Sequence, residues 1–202
     1  MLPSVPNECM TRLLAIVFSC PHPAVPFMVW GPAAGLLLHS GWDSQALLSC
    51  LGWIFAGGFA WTLLEYLLHR LLFHWRPNNT TLRHVVSHLH LQHHADPRDP
   101  TKIFTPPLSA LFVFLIFFAV CNQLLPIAAV PVFLGGLLLG YMAYEYLHYA
   151  IHHATLPTIW GRGCQRRHLA HHHHCPDANF GVTNDFWDGL LRSRHDDRVH
   201  DT

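Results

Sequence analysis

Apolar residues along this chain gather into four long stretches rather than into the one-sided stripes of surface helices. The first, Val25 to Leu38, is interrupted by Gly31-Pro32. The second runs from Ala46 to Phe73, the third from Leu108 to Leu125, and the fourth from about Ala128 to Ile151. A helix needs about 20 mostly apolar residues to cross roughly 30 Å of hydrocarbon. The second, third and fourth stretches qualify, and the first is expected to be tilted, kinked or only partly inserted. At 1.5 Å per residue the second is about 42 Å long, so its last turns, Glu65 to His74, are expected to project from the bilayer.

Charge then orients these elements. Basic residues cluster before the first stretch (Arg12), between the second and third (Arg70 to Lys102) and after the fourth (Arg162 to Arg198). The short connections His39–Gln45 and Pro126–Ile127 hold none. If four helices span, all 12 Lys and Arg fall on one face, which the positive-inside rule makes cytoplasmic. The run Leu13 to Cys20 is short for a signal-peptide core and lacks a small-residue cleavage site, so it reads as an uncleaved membrane-entry segment. Charged residues make up 12% of the 202, against a usual ~25%, and net charge is +0. This composition excludes a disordered chain and a nucleic-acid binder with a basic surface. The six cysteines form no CxxC and read as free thiols; Cys164 and Cys175 merely flank a histidine cluster.

Histidine changes the picture. There are 19, and four clusters stand at the projected ends of the second and fourth helices and in the segments that follow them. They are His69-(x4)-His74, His90-x-x-His93-His94, His148-(x3)-His152-His153 and His168-x-x-His171-His172, the last continued by His173 and His174. Residues at i, i+3 and i+4 share a helical face, so an HxxHH is expected to present three imidazoles to one point. The i+5 pair His69/His74 is offset by about 140° in an ideal helix, which implies a helix end or a distortion there. About ten donors suit two metal ions, whereas one zinc needs three or four. Glu65 and Glu145 lie beside these boxes, where a carboxylate can accept the second N–H of a ligand imidazole. His153 and His173 are candidates for the same surroundings, with His84, His88 and His174 ambiguous. His22, His39, His195 and His200 read as surface residues.

These boxes resemble the fatty acid hydroxylase superfamily, the membrane group of sterol desaturases and sphingolipid hydroxylases, and most closely its fatty acid 2-hydroxylase branch. Glu65-Tyr66 to His74 is similar to that branch's first box. His90 to His94 with the trailing Thr105-Pro106-Pro107 is similar to the second, and Gly140-Tyr141 to His153 to the third. His168 to His172 with Phe180-Gly181-Val182-Thr183 and Trp187-Asp188 is similar to the fourth and the closing signature. Glu145 departs from the branch's usual Asp, and no fused b-type cytochrome accompanies the boxes.

The resemblance implies an all-α integral membrane protein: about four transmembrane helices and a cytoplasmic histidine-rich cap around a dimetal centre. One domain would occupy 1–202, with the signature over 61–191 and an N-terminal segment over 1–24. The implied ligands are His69, His74, His90, His93, His94, His148, His152, His168, His171 and His172. No side-chain acid–base catalyst beyond the metals is implied. The implied reaction is O2-dependent hydroxylation of a lipid acyl chain at its 2-position. It would use two metals (iron, with zinc in isolated protein) and electrons from a separate b-type cytochrome or ferredoxin-like donor. The membrane would be the plasma or inner membrane of a bacterium, or the endoplasmic reticulum of a eukaryote. A sterol or lipid desaturase or oxidase of the same superfamily and a membrane metal transporter are the alternatives. Nucleic acid is not an expected partner.

Overall fold

The structure, a computed structural model, describes Cys20 and residues 22–195. The entry segment expected over Leu13 to Cys20 therefore lies outside the described residues except for Cys20, as do Arg12, Arg198 and His200.

Among the described residues all regular structure is helical: α1 Val25–Trp42, α2 Leu47–Leu67, α3 Thr80–Val86, α4 Gln92–Ala95, α5 Pro100–Ile103, α6 Pro107–Leu124, α7 Val130–His153, α8 Ile159–His173 and α9 Phe186–Leu190. Two π-helical segments, Leu68–Phe73 and Ser87–Leu91, extend α2 and α3. Proline marks the first turns of α1, α6 and α7, where its missing N–H would have no helical partner anyway. Pro32 does not end α1, which continues through it to Trp42.

Three segments are long and apolar enough to cross a membrane: Leu47–Phe73, Pro100–Leu124 and Val130–His153. The chain is an integral membrane protein, and its many exposed large apolar side chains, such as Phe55, Phe112 and Leu124, face hydrocarbon rather than water. α1 is not one of the three, in keeping with its shorter stretch. It nevertheless runs antiparallel to α7 over the same depth: Gly41 lies against Val132, and Trp30 against Tyr141. Its 18 residues rise about 27 Å, close to the hydrocarbon thickness.

α2 and α7 run parallel and approach backbone to backbone. A Cβ on Gly57 would lie 2.1 Å from the Phe133 carbonyl oxygen, and one on Gly136 would lie 2.3 Å from that of Ile54. Only glycine permits this approach, the way small residues let helices close in apolar surroundings. Trp61, Leu64, Leu137, Leu138 and Tyr141 form the shared core. The parallel pairing carries His69 and His148 to the same end of the bundle. The short helices and π segments of the cap gather there.

Candidate metal centre

The centre begins where α2 stops being an α-helix. In the π segment the His74 N–H donates to the His69 carbonyl at 3.2 Å, a step of five residues instead of four. The wider turn brings the two rings to 5.0 Å despite their i+5 spacing. The distortion expected from sequence is therefore a π turn, a feature found mostly at functional positions. The second π segment carries His90 and runs directly into α4, which carries His93 and His94.

All ten histidines singled out in the boxes converge, in two groups of five. His69, His74, His90, His94 and His171 form one, and His93, His148, His152, His168 and His172 the other. Within each, one ring nitrogen per residue lies within 4.8 Å of all the others. In the first group the His94–His90 and His171–His74 Nε2 pairs are 3.0 Å apart, and His171–His94 is 3.2 Å. In the second, His148–His93, His168–His152 and His172–His168 are each 3.0 Å apart.

The HxxHH boxes do not aim at one point, which corrects the reading made from spacing. In each, the i, i+4 pair enters one group and the intervening i+3 histidine enters the other. His90 and His94 face the first group while His93 faces the second; His168 and His172 face the second while His171 faces the first. The helical wheel explains this. Residues i and i+4 differ by about 40°, but i+3 lies on the opposite flank, about 100° from i+4. Each box thus ties the two groups together, and His94 stacks on His172 across them at 4.0 Å and 11°.

The surroundings favour a cation in each group. The His69 Nδ1 lies 2.6 Å from the Phe180 carbonyl oxygen, and the His171 Nδ1 2.7 Å from that of Ala178. Donating there fixes the proton on Nδ1 and leaves the Nε2 lone pair pointing inward. The buried His69 Nε2 has no hydrogen-bond partner. Lone pairs converging at about 3.0 Å repel one another unless a cation sits among them. Two nitrogens each about 2.1 Å from one ion, at right angles, are about 3.0 Å apart. Burial also keeps the cap rings neutral and ready to bind. It pushes His74 and His171 down to about 4, His94 to about 3 and His93 to about 2, and it moves His90, His168 and His172 down as well. A set of neutral imidazoles suits zinc, copper, iron or nickel.

The carboxylates do different work from that expected. Glu65 accepts from the Thr183 N–H and hydroxyl at 2.9 and 2.7 Å, and Glu145 accepts from the Thr105 N–H at 3.0 Å. They tie cap loops to α2 and α7, and it is backbone carbonyls that orient His69 and His171. Residues that the sequence reading gave no role at the site hold this loop. Asp188, fully buried, accepts from the N–H groups of Phe180 and Gly181 at 2.9 and 2.7 Å and from the Ser193 hydroxyl at 2.8 Å. Asn179, between the residues that supply the two carbonyl acceptors of the loop, takes a left-handed φ of 56°, a conformation asparagine tolerates. The closing signature Phe180 to Thr183 and Trp187-Asp188 was the available signal. His153, His173, His84 and His174 are exposed and outside both groups, and His88, partly buried, is outside them too. Cys164 and Cys175 also lie outside them.

A family model described as fatty acid hydroxylase matches residues 54–193, a span that holds every one of these histidines. The chain belongs to the fatty acid hydroxylase family. Its relatives within the family include the dihydroceramide fatty acyl 2-hydroxylase FAH2 of Arabidopsis thaliana, 31% identical over 83% of this chain and 71% of that protein. The ceramide very long chain fatty acid hydroxylase SCS7 of Saccharomyces cerevisiae is 40% identical over 67% of this chain and 36% of its own length. The human fatty acid 2-hydroxylase is 30% identical over 74% and 41%. This chain thus spans well under half of the yeast and human proteins. A solved structure, full-length scs7p with only its hydroxylase domain visible, superposes with a TM-score of 0.79 at 30% identity, covering 86% of this chain and 67% of that one. The resemblance to the 2-hydroxylase branch read from the boxes agrees with these relatives.

Proposed function

We propose that this protein hydroxylates the acyl chain of a membrane lipid at the carbon next to the acyl carbonyl, using O2 and two electrons from a separate donor protein. The observation that carries the reading is the meeting of two all-histidine groups with an apolar cavity. That cavity, about 450 Å3, lies between α1, α2, α6 and α7 and reaches up under the cap. Phe73 and Tyr144 line its cap end. Phe73 stacks on His90 of the first group at 5.3 Å, and Tyr144 tilts against His148 of the second at 5.6 Å. An acyl chain in the cavity would bring its carbonyl end up to both groups.

His69, His74, His90, His94 and His171 would hold one metal ion, and His93, His148, His152, His168 and His172 the other. Two redox-active ions, iron in this reading, would supply O2 activation and hydrogen removal from an unactivated carbon; zinc cannot change oxidation state and would fill the site without turnover. The chain's own residues do the rest. The carbonyls of Ala178 and Phe180 hold imidazoles in the binding tautomer, and the aromatic and leucine walls exclude water and align the chain. Electrons would arrive at the cytoplasmic cap from a b-type cytochrome or ferredoxin-like partner.

The test is lipid mass spectrometry of cells with and without the chain, alongside His148→Ala and His171→Ala variants. A 2-hydroxy acyl product that disappears in both variants, with the protein still inserted and its metal content reduced, is expected. A new double bond instead of a hydroxyl would assign a desaturase. Metal flux into proteoliposomes without oxygen consumption would assign a transporter.

A further inference from the structure

Four oxidisable rings line the acyl cavity in a row that starts at the second histidine group. Tyr144 stands 5.6 Å from His148, Trp61 5.7 Å from Tyr144, and Tyr141 5.1 Å from Trp61, centroid to centroid. Trp30 continues the row 6.2 Å beyond Tyr141. All four are buried. Aliphatic side chains would wall an acyl site equally well, but they do not give up an electron. Tyrosine and tryptophan do, and rings in near contact pass electrons from one to the next.

Two of the rings also have a place for the proton. A tyrosine or tryptophan that loses an electron becomes a strong acid, and a net charge left in this apolar interior is costly. Trp61 and Glu65 stand four residues apart on one face of α2, and Tyr141 and Glu145 do the same on α7. Each carboxylate engages a cap threonine, Thr183 or Thr105, through its Oε1, which leaves Oε2 buried without a regular hydrogen bond. The Trp61 N–H and the Tyr141 O–H are likewise buried without one. Each carboxylate nevertheless lies close enough to the donor of its own ring to act on it. An ionisable side chain inside a membrane span is costly, and holding a loop needs only a neutral amide there. Trp30, with Ala34 four residues on, has no such partner on its own helix, so the equipped part of the row ends at Tyr141.

We propose that Tyr144, Trp61 and Tyr141 form an electron relay that protects the metal-binding histidines when O2 is reduced with no acyl chain in place. The inference rests on the hydroxylase reading above, which supplies O2 and the donor protein. With a lipid bound, one O2, two donor electrons and two protons give the hydroxyl and one water. Without one, reduction of O2 to two waters needs four electrons and four protons. The donor supplies two of the electrons. Trp61 and Tyr141 supply one each, passed to the histidine groups through Tyr144, and the four protons come from the aqueous face. Trp61 releases its indole proton to Glu65 and Tyr141 its phenol proton to Glu145, so each ring is left as a neutral radical. Two further donor electrons, arriving by the same route, and return of the two protons restore both rings. Oxidation is thereby kept off the ligand imidazoles.

The experiment loads the full chain with ferrous iron in a fluorinated surfactant, whose chains offer no C–H bond to the site, and mixes it with O2. The two ferrous ions stand in for the donor's two electrons. O2 uptake, freeze-quenched electron paramagnetic resonance and peptide mass spectrometry are read on the same sample. A tryptophanyl and a tyrosyl signal are expected, both absent from metal-free protein. Trp61→Phe breaks the row and should lose both; Tyr141→Phe should lose the tyrosyl signal alone. Each should add oxygen to the ligand histidines. Glu145→Gln keeps an acceptor for the Thr105 N–H but takes no proton, and it should lose the tyrosyl signal with the ring still in place. If a ring variant fails to accumulate, the Glu145→Gln result decides. O2 uptake without radicals, or radicals unchanged in the variants, overturns the relay and leaves the hydroxylase reading standing. No O2 uptake by the iron-loaded protein refutes that reading, and this inference with it.

Discussion

Replacing Asp188 with alanine removes the acceptor that holds the loop behind the first histidine group. The carboxylate accepts from two buried backbone N–H groups, those of Phe180 and Gly181, and from the Ser193 hydroxyl. The serine has a second partner in the Tyr66 hydroxyl at 2.8 Å, so its loss is partly made good. The two N–H groups have no substitute acceptor. A buried donor left unsatisfied costs about 1–3 kcal/mol, so the variant should lose about 2–6 kcal/mol from the loop's closed state. The Phe180 carbonyl that orients His69 belongs to the same peptide chain and would move with it. Loss of such an orienting partner lowers metal affinity by about 10–100-fold. The assay is metal content per chain after graded chelator, with circular dichroism to verify that the helices persist. Asp188→Ala should release one of two metals at chelator levels the unaltered protein withstands. Equal retention in both proteins, with the helices intact, would refute the claim that this loop holds the first group in its binding form.

Two further expectations follow from packing and protonation. Gly57→Ala places a Cβ 2.1 Å from a backbone oxygen of α7, so the parallel helices must separate; a loss of about 1–3 kcal/mol, read as a lower thermal midpoint in detergent, is expected, and an unchanged midpoint would show the contact to be looser than described. In metal-stripped protein, His93 and His171 stay neutral well below the ordinary 6.5, with values of about 2 and 4. An unfolded chain takes up protons at these positions once the pH falls below 6.5. Their stabilising contribution is therefore complete above that pH and is lost on acidification, by about 1.4 kcal/mol per pH unit for each ring. Thermal midpoints measured from pH 7.5 down to 5 should fall, and metal retention should fall with them; a flat profile would mean that the rings protonate in the folded state.

Much of this was legible in the chain. Apolar run length gave the membrane helices, because about 30 Å of hydrocarbon imposes a minimum on any span that water cannot relieve. The distribution of Arg and Lys put the histidine boxes on one face, and the i+5 spacing of His69 and His74 required the distortion seen after Leu67. The weakness of the first stretch was also legible; that α1 nevertheless lies along α7 over the full depth was not, since it depends on close contacts at Gly41 and Gly135 with a helix roughly a hundred residues away.

The sequence by itself determined what the centre is made of: which histidines, at which spacing, and at which end of which helix. Periodicity is a local property, and it carries that far. How the ten divide was decided by the tertiary structure. Spacing says that His90, His93 and His94 lie near one face, but whether i+3 joins i and i+4 depends on what approaches from the other flank. There, α7 brings His148 and His152, and α8 crosses with His168 and His172. The roles of Glu65, Glu145 and Asp188 were equally a matter of long-range contact. Each is a buried acceptor whose donors come from loops that only the folded chain brings within reach.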